Sequence, residues 1–317
     1  MTAEFVSPKH PDKLCDQASD AILDALIEQD PNSRCAVEVM GGHGKALVMG
    51  EVTSKADIDY KGIVQRVTGL KNVEVVIEKQ SPFIAKGVDE GGAGDQGIMI
   101  GYACHDGWDL MPEEYSLARN LCKYIYDVFP FDGKTQVTKD EGNYTILASF
   151  QNAPKKRLEE LVLGWAHEED LITKGIKVIV NPAGDWTLGG FDADTGLTGR
   201  KIVIDAYGPR VPVGGGAFSG KDLSKVDRAG AYFARQKAIE YLHQYGAYQV
   251  IIRVAYAIGV AKPVELKIIV DNEYTEYSDS VLEEFRADKI RNEIKVSSFE
   301  ETAKWGHFGN GFPWDIS

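Results

Sequence analysis

The order of helix and strand signals recurs three times along this chain, and that recurrence limits the architectures open to it. In the first pass, Phe5-Val6 closes a short strand, and residues 12–29 put Leu14, Ala18, Ile22, Ala25 and Leu26 on one helical face before Asp30-Pro31 stops the helix. Residues 34–40 and 45–53 read as strands joined by the hairpin turn Gly41-Gly-His-Gly44. Residues 58–67 read as a second helix ended by Gly69, and 73–78 as a strand. The same order returns over 97–104, 113–128, 134–139, 144–151, 155–169 and 176–180. It returns once more over 201–207, 226–245, 248–258, 264–271, 278–286 and 290–296. Three β-α-β-β-α-β passes of roughly 100 residues predict an α+β protein of three similar units, each a sheet with its helices on one face. The repeat is one of pattern, without evident sequence identity. Residues 80–96 and 182–200 between passes are rich in glycine and charge and lack periodicity. Such connections are where chemistry is mounted on a scaffold.

The third pass carries the most specific loop, Gly214-Gly-Gly-Ala-Phe-Ser-Gly-Lys-Asp-Leu-Ser-Lys-Val-Asp-Arg228. Glycines at 214, 215, 216 and 220 let backbone N–H groups approach an anion closely, because no Cβ intervenes. Lys221 and Lys225 add charge. Ser224-x-x-Asp227 reads as a capping box, so a helix starts here, and a helix N-terminus is itself a phosphate site. A carboxylate such as Asp227 belongs in a phosphate cradle if it holds Mg²⁺. The stretch is not a P-loop. Asp222 stands where that motif needs Ser or Thr, and residues 208–213 separate the glycines from the preceding strand. Taken alone, the loop could also be a flexible surface segment with solvated lysines.

Net charge is −13, with 35 basic against 48 acidic residues, which argues against a nucleic-acid partner. It also makes a local cluster of cations informative, since the rest of the molecule repels a polyphosphate. The four cysteines, 15, 35, 104 and 122, form no C-x-x-C pair and read as buried free thiols rather than a zinc site. No apolar run approaches ~20 residues and no signal peptide opens the chain, so the expectation is a cytoplasmic protein without a membrane partner.

Other segments add candidates. In His10-Pro-Asp-Lys13, His10 could donate to an oxyanion and Asp12 could hold a metal, or Asp12 could simply cap the helix. Asp12, Asp16 and Asp20 lie four apart, the spacing of a solvated face. Asp95, in Gly91-Gly-Ala-Gly-Asp-Gln-Gly97, could bind ribose hydroxyls or a cation, or form a tight turn. Gln80 could meet an amino or carboxylate group. Glu38 and Glu51 interrupt apolar strands, as solvent-facing alternation would. Lys134 opens a strand within reach of phosphate. Arg200-Lys201 supplies two adjacent cations, and Trp186 could stack on a base or sit in the core. The aromatic run ending at Trp314 reads as packing.

Together these stretches resemble one family, the S-adenosylmethionine synthetases (methionine adenosyltransferases). The matching runs are His10-Pro-Asp-Lys13, Lys79-Gln-Ser-Pro82, Gly92-Ala-Gly-Asp-Gln-Gly97, Gly196-Leu-Thr-Gly-Arg-Lys201, Gly214 to Lys221, Ser224-Lys-Val-Asp-Arg228, Tyr256-Ala-Ile-Gly-Val-Ala261 and Gly306-His-Phe-Gly309. They span nearly the whole chain in family order. The resemblance implies three α+β domains with pseudo-threefold symmetry, here 1–90, 91–187 and 188–317. It implies that methionine sulfur attacks C5′ of ATP, and that the displaced triphosphate is cleaved to pyrophosphate and phosphate. It matches His10 to the group beside the departing oxygen, and Asp12 and Asp227 to ligands of Mg²⁺, two ions per site. Lys134, Arg200, Lys201, Lys221 and Lys225 match the polyphosphate clamp, and Glu38 the K⁺ ligand. Glu51, Gln80, Asp194 and Lys225 match residues around methionine. Glu4, Asp95 and Asp194 match residues on the ATP side, with Trp186 against adenine. A homodimer or tetramer with its site between subunits follows from the same likeness.

The chain also departs from the family. Pro8-Lys9 replaces the usual Glu-Gly before His10, Leu223 replaces a proline, and the gating loop from Ser81 to Gly91 is short. The shortened gate admits a second reading, a polyphosphatase or ATP hydrolase without methionine chemistry. Pro8-Lys9 admits a third, a non-catalytic partner that regulates an active subunit.

Overall fold

The computed structural model describes residues 1–80, 91–172 and 175–316. Twelve strands among them form three four-stranded sheets. The strands are β1 (Thr2–Val6), β2 (Arg34–Gly42), β3 (Lys45–Thr53), β4 (Asn72–Glu78), β5 (Gly97–Cys104), β6 (Gly133–Asp140), β7 (Asn143–Phe150), β8 (Ile176–Val180), β9 (Gly196–Leu197), β10 (Gln249–Tyr256), β11 (Glu265–Val270) and β12 (Glu273–Thr275). The helices are α1 (Pro11–Gln29), α2 (Tyr60–Thr68), α3 (Glu113–Tyr126), α4 (Lys155–Glu168), α5 (Ile202–Asp205), α6 (Val226–Tyr245), α7 (Asp279–Glu284), α8 (Ala287–Glu293) and α9 (Phe299–Thr302). Three hairpins turn on residue pairs with positive φ: His43 and Gly44, Glu141 and Gly142, and Asp271 and Asn272. This is the two-residue turn whose twist matches that of antiparallel strands.

The three passes do not each close their own sheet. The orders are β1-β6-β7-β8, β12-β11-β10-β5 and β4-β3-β2-β9. The first strand of each pass is therefore lent to another: β1 to the hairpin of the second pass, β5 to that of the third, and β9 to that of the first. The exchange is cyclic and ties the units together. Each long helix packs on the pair made by its own hairpin and the incoming strand: α1 on β2 and β9, α3 on β6 and β1, α6 on β10 and β5. Side-chain alternation marks a strand's buried face but not its neighbour, so the exchange left no mark in the sequence.

Two expected strands are helical. Residues 201–207 form α5 and a following turn, and the third pass opens on β9 instead. A short apolar run such as Ile202-Val-Ile204 fits a buried helical turn as well as a strand. Residues 290–296 fall largely in α8, where Ile290 and Ile294 meet the core one turn apart. The C-terminal aromatics are packing, with Phe308 and Trp314 buried and Trp305 stacked on Phe5. All four cysteines are buried and free.

Candidate active site

The first group of site residues gathers where β1 enters α1. His10 is the N-cap, with Pro11 at the first helical position. Its Nδ1 accepts the Asp12 N–H at 3.2 Å, so the neutral ring carries its proton on Nε2 and can donate there. Burial, together with the nearby ammonium groups of Lys201 and Lys134, pushes the imidazole pKa down to about 3, against Asp12 and Asp194. The ring is a neutral donor, not an imidazolium. Asp12 is buried and receives three partners: Lys201 Nζ at 2.5 Å, the Leu197 N–H at 2.9 Å and Arg200 Nε at 3.5 Å. Burial alone would raise its carboxyl. The Lys201 and Leu197 hydrogen bonds outweigh that and hold it below the usual range. Gly196 makes this approach feasible, since a Cβ there would overlap the Pro11 carbonyl.

Lys134 lies opposite Val6 on one side and Ser149 on the other. Trp186 donates its indole N–H to Ser149 Oγ at 3.2 Å. Directly opposed residues share a face, so Glu4, Lys134 and the ring of Trp186 lie on one face of this sheet, beside His10. Asp194 is exposed, and its charge is felt at His10.

A second group forms around the glycine loop. Lys221 bridges to Ala36 of β2, and its Nζ lies 2.6 Å from Asp227 Oδ2. Gly216 leaves room for this pair, because a Cβ there would overlap the Asp227 carboxylate and displace it. Lys225 is buried and pairs with Asp222 Oδ2 at 2.7 Å. The expected capping box does not form. Lys225 is the N-cap of α6, without a side-chain cap, and Asp222 instead accepts the Ser224 N–H at 2.9 Å in a local turn. A groove of about 300 Å³ joins Lys221 to Glu38, Glu51 and Thr198. Glu38 and Glu51 are both exposed, on the outer face of β2 and β3. Gln80 is buried just past Glu78, which pairs with Glu51 across β3 and β4. Asp95 is exposed two residues before Gly97, whose Cα side faces Asp227. The expected gating loop, Ser81 to Gly91, lies outside the described residues except for Gly91.

The aspartate face of α1 is not solvated. Asp12, Asp16 and Asp20 are all buried. Their Oδ1 atoms accept the N–H groups of Leu197 at 2.9 Å, Gly199 at 2.8 Å and Gly220 at 2.8 Å. Lys13 balances Asp16 at 3.1 Å, and the guanidinium of Arg228 grips Asp20 at 2.7 and 2.8 Å. An i, i+4 run of acids gives no sign that basic groups distant in sequence will cover it. Lys13 and Arg228 were the signal available.

Among the described residues no set of three or more His, Cys, Asp or Glu side chains converges on a metal position. Asp12 and Asp227 are single carboxylates, each beside a lysine. That donor set does not make an all-protein cage. It fits a divalent ion that takes one carboxylate and completes its shell with substrate phosphate oxygens and water.

Comparison with known proteins agrees across the whole chain. Residues 1–86, 90–186 and 188–316 match the N-terminal, central and C-terminal domains of S-adenosylmethionine synthetase. The S-adenosylmethionine synthase of Petrotoga mobilis is 39% identical over 382 aligned positions, covering 99% of this chain and 95% of that protein. That of Pseudothermotoga lettingae is 42% identical, covering 99% and 94%. The aligned positions outnumber the residues of this chain, so these relatives carry internal segments that it lacks. A solved structure described as an unusual S-adenosylmethionine synthetase from Campylobacter jejuni superposes with a TM-score of 0.84 at 30% identity, covering 100% of this chain and 96% of that one.

Proposed function

The chain belongs to the S-adenosylmethionine synthetase family and is a methionine adenosyltransferase, making S-adenosylmethionine from ATP and methionine; from that premise we propose which of its residues do the work. The sulfur lone pair of methionine attacks C5′, the C5′–O5′ bond breaks, and its electron pair leaves on the triphosphate. His10 donates from Nε2–H to the departing O5′, the one polar contact that strengthens as charge grows there. Lys134, Arg200, Lys201, Lys221 and Lys225 spread the remaining charge and hold the triphosphate for its cleavage to pyrophosphate and phosphate. Trp186 stacks on adenine, with Glu4, Asp95 and Asp194 toward the nucleoside. Glu51, Gln80, Asp194 and Lys225 orient methionine so that sulfur and carbon lie in line.

Asp12 and Asp227 would hold Mg²⁺, two ions per site, and Glu38 would hold K⁺. When bound, the divalent ions neutralise charge on the triphosphate. Lys201 and Lys221, which pair with those two carboxylates, would then be free to meet phosphate oxygens. The two residue groups meet across a subunit interface, in a homodimer or in a tetramer of such dimers. In support, Glu38 and Glu51 share the outer face of β2 and β3 with Met40 and Met49, which are 48% and 49% exposed. An apolar patch rimmed by charge on a sheet face is the usual mark of an interface. The free cysteines and the absence, among the described residues, of a helix long and apolar enough to cross a membrane support a cytoplasmic enzyme.

The single observation that carries the assignment is the buried His10, whose Nδ1 accepts the Asp12 N–H, beside the Asp12–Lys201 pair. Incubating the protein with ATP and methionine, with and without Mg²⁺, tests it by mass spectrometry. A sulfonium product formed only with Mg²⁺ supports the account. Phosphate release that ignores methionine overturns it.

A further inference from the structure

We propose that Asp16 and Asp20 are positioning residues that set the two cation-bearing segments, 196–201 and 220–225, in register along α1. The claim rests on the phosphate roles given above to Arg200, Lys201 and Lys221. Each segment is held from two sides. On the helix side, the Gly199 N–H meets Asp16 and the Gly220 N–H meets Asp20, both at 2.8 Å. On the strand side, the Thr198 N–H donates to the Val39 carbonyl at 3.0 Å, and the Val37 N–H donates to the Gly220 carbonyl at 3.1 Å.

The spacing of the two supports agrees. Four residues of helix rise about 6 Å. Two residues of strand span about 6.6 Å. Asp16 to Asp20 along α1 therefore runs beside Val39 to Val37 along β2, and each aspartate faces the segment held by the matching strand residue. Gly199 and Gly220 have φ of 83° and 79°, which let the chain turn its N–H into the helix immediately before Arg200 and Lys221. Neither aspartate is left uncompensated. Lys13 lies 3.1 Å from Asp16 and 2.5 Å from Asp205, and Arg228 closes on Asp20 with both terminal nitrogens. An acceptor that is buried, charged and fixed on a rigid helix is the strongest way to pin a loop amide. A displacement of about 1 Å in a catalytic cation costs on the order of 100-fold in rate.

The test uses the full-length protein and reads binding of inorganic tripolyphosphate with Mg²⁺ by calorimetry, alongside steady-state rates. Asp16→Ala should weaken tripolyphosphate about tenfold and lower kcat about 100-fold, with KM for methionine unchanged. Asp16→Asn keeps an acceptor for the Gly199 N–H and should restore most of the binding. A merely structural role would lower the thermal midpoint of both variants alike and leave tripolyphosphate affinity unmoved. A folded Asp16→Ala protein that binds tripolyphosphate as tightly as the parent overturns the proposal. Arg200→Ala is the control. If it too binds normally, the phosphate assignment itself falls. If it binds weakly while Asp16→Ala does not, only the positioning role falls. Should Asp16→Ala fail to fold, amide exchange in the unaltered protein decides. Gly199 and Gly220 should be protected well beyond the exposed amides around them, and exchange at ordinary loop rates overturns the claim.

Discussion

Lys201 Nζ lies 2.5 Å from Asp12 Oδ2, joining the first turn of α1 to a segment nearly two hundred residues away in sequence. Asp12 is buried, and Lys201 is its closest positive partner. The pair keeps the carboxylate ionised, and the ammonium close to His10 helps keep that ring neutral. Lys201→Met removes both effects. The expected result is a loss of 100- to 1,000-fold in kcat, of order one missing charge-stabilising donor, measured by sulfonium formation. Retention of near-normal turnover would refute the role of Lys201.

Gly216→Ala tests the glycine loop with one added carbon. The new Cβ would overlap the Asp227 carboxylate, so the carboxylate must move. Activity should fall steeply while the thermal midpoint changes by only a few degrees, because residues 214–217 are themselves exposed or half-buried. Equal activity would mean that the position of Asp227 is not critical.

Asp20 and Arg228 form a fully buried pair. Removing one partner of such a pair strands a charge in the interior and costs about 3–5 kcal/mol. Arg228→Met should lower stability by that amount in urea unfolding. The Asp20→Asn/Arg228→Met double variant should recover part of the loss, since no lone charge remains. Additive losses in the double variant would contradict this picture.

Lys123 supplies a pH-dependent test away from the site. Burial, then the neighbouring Arg119, pushes its ammonium pKa down to about 8 from 10.5. The folded state therefore releases this proton before the unfolded state does. Between about pH 8 and 10.5 the unfolded chain binds more protons at this group, so its contribution to stability rises with pH. The stability of the parent relative to Lys123→Met should increase from pH 7.5 to pH 10, read from urea midpoints. A constant difference across that range would count against the burial argument.

Much of this was legible in the sequence, for reasons that can be named. Helix α6 spans the expected residues 226–245, although the capping box read at its start does not form and its end is set by Gly246, left-handed with φ of 57°. The expected hairpins β2–β3 and β6–β7 were marked by glycine at their turns and β10–β11 by its two apolar runs, whereas the short β12, reached through Asp271-Asn272, was not expected. The candidate site residues were named through family-specific runs, and their roles are the proposal made above. Strand partners were not legible, because pairing uses backbone groups that every residue shares. The burial of Asp16 and Asp20 was not legible either, because helical spacing shows which residues share a face but not what covers it. Residues 201–207 misled because three apolar residues in a row, Ile202 to Ile204, suit a strand and a buried turn equally.

The central claim is that the His10 group of one subunit and the Lys221 group of its partner act on a single triphosphate. Mixing two inactive variants, Lys201→Met and Lys221→Met, after subunit exchange tests it directly. Random pairing makes half the dimers mixed, and each mixed dimer has one site with both lysines intact, so about a quarter of parental activity should return. If each site is instead built within one subunit, every subunit in the mixture carries a defect and activity stays at the level of the separate variants.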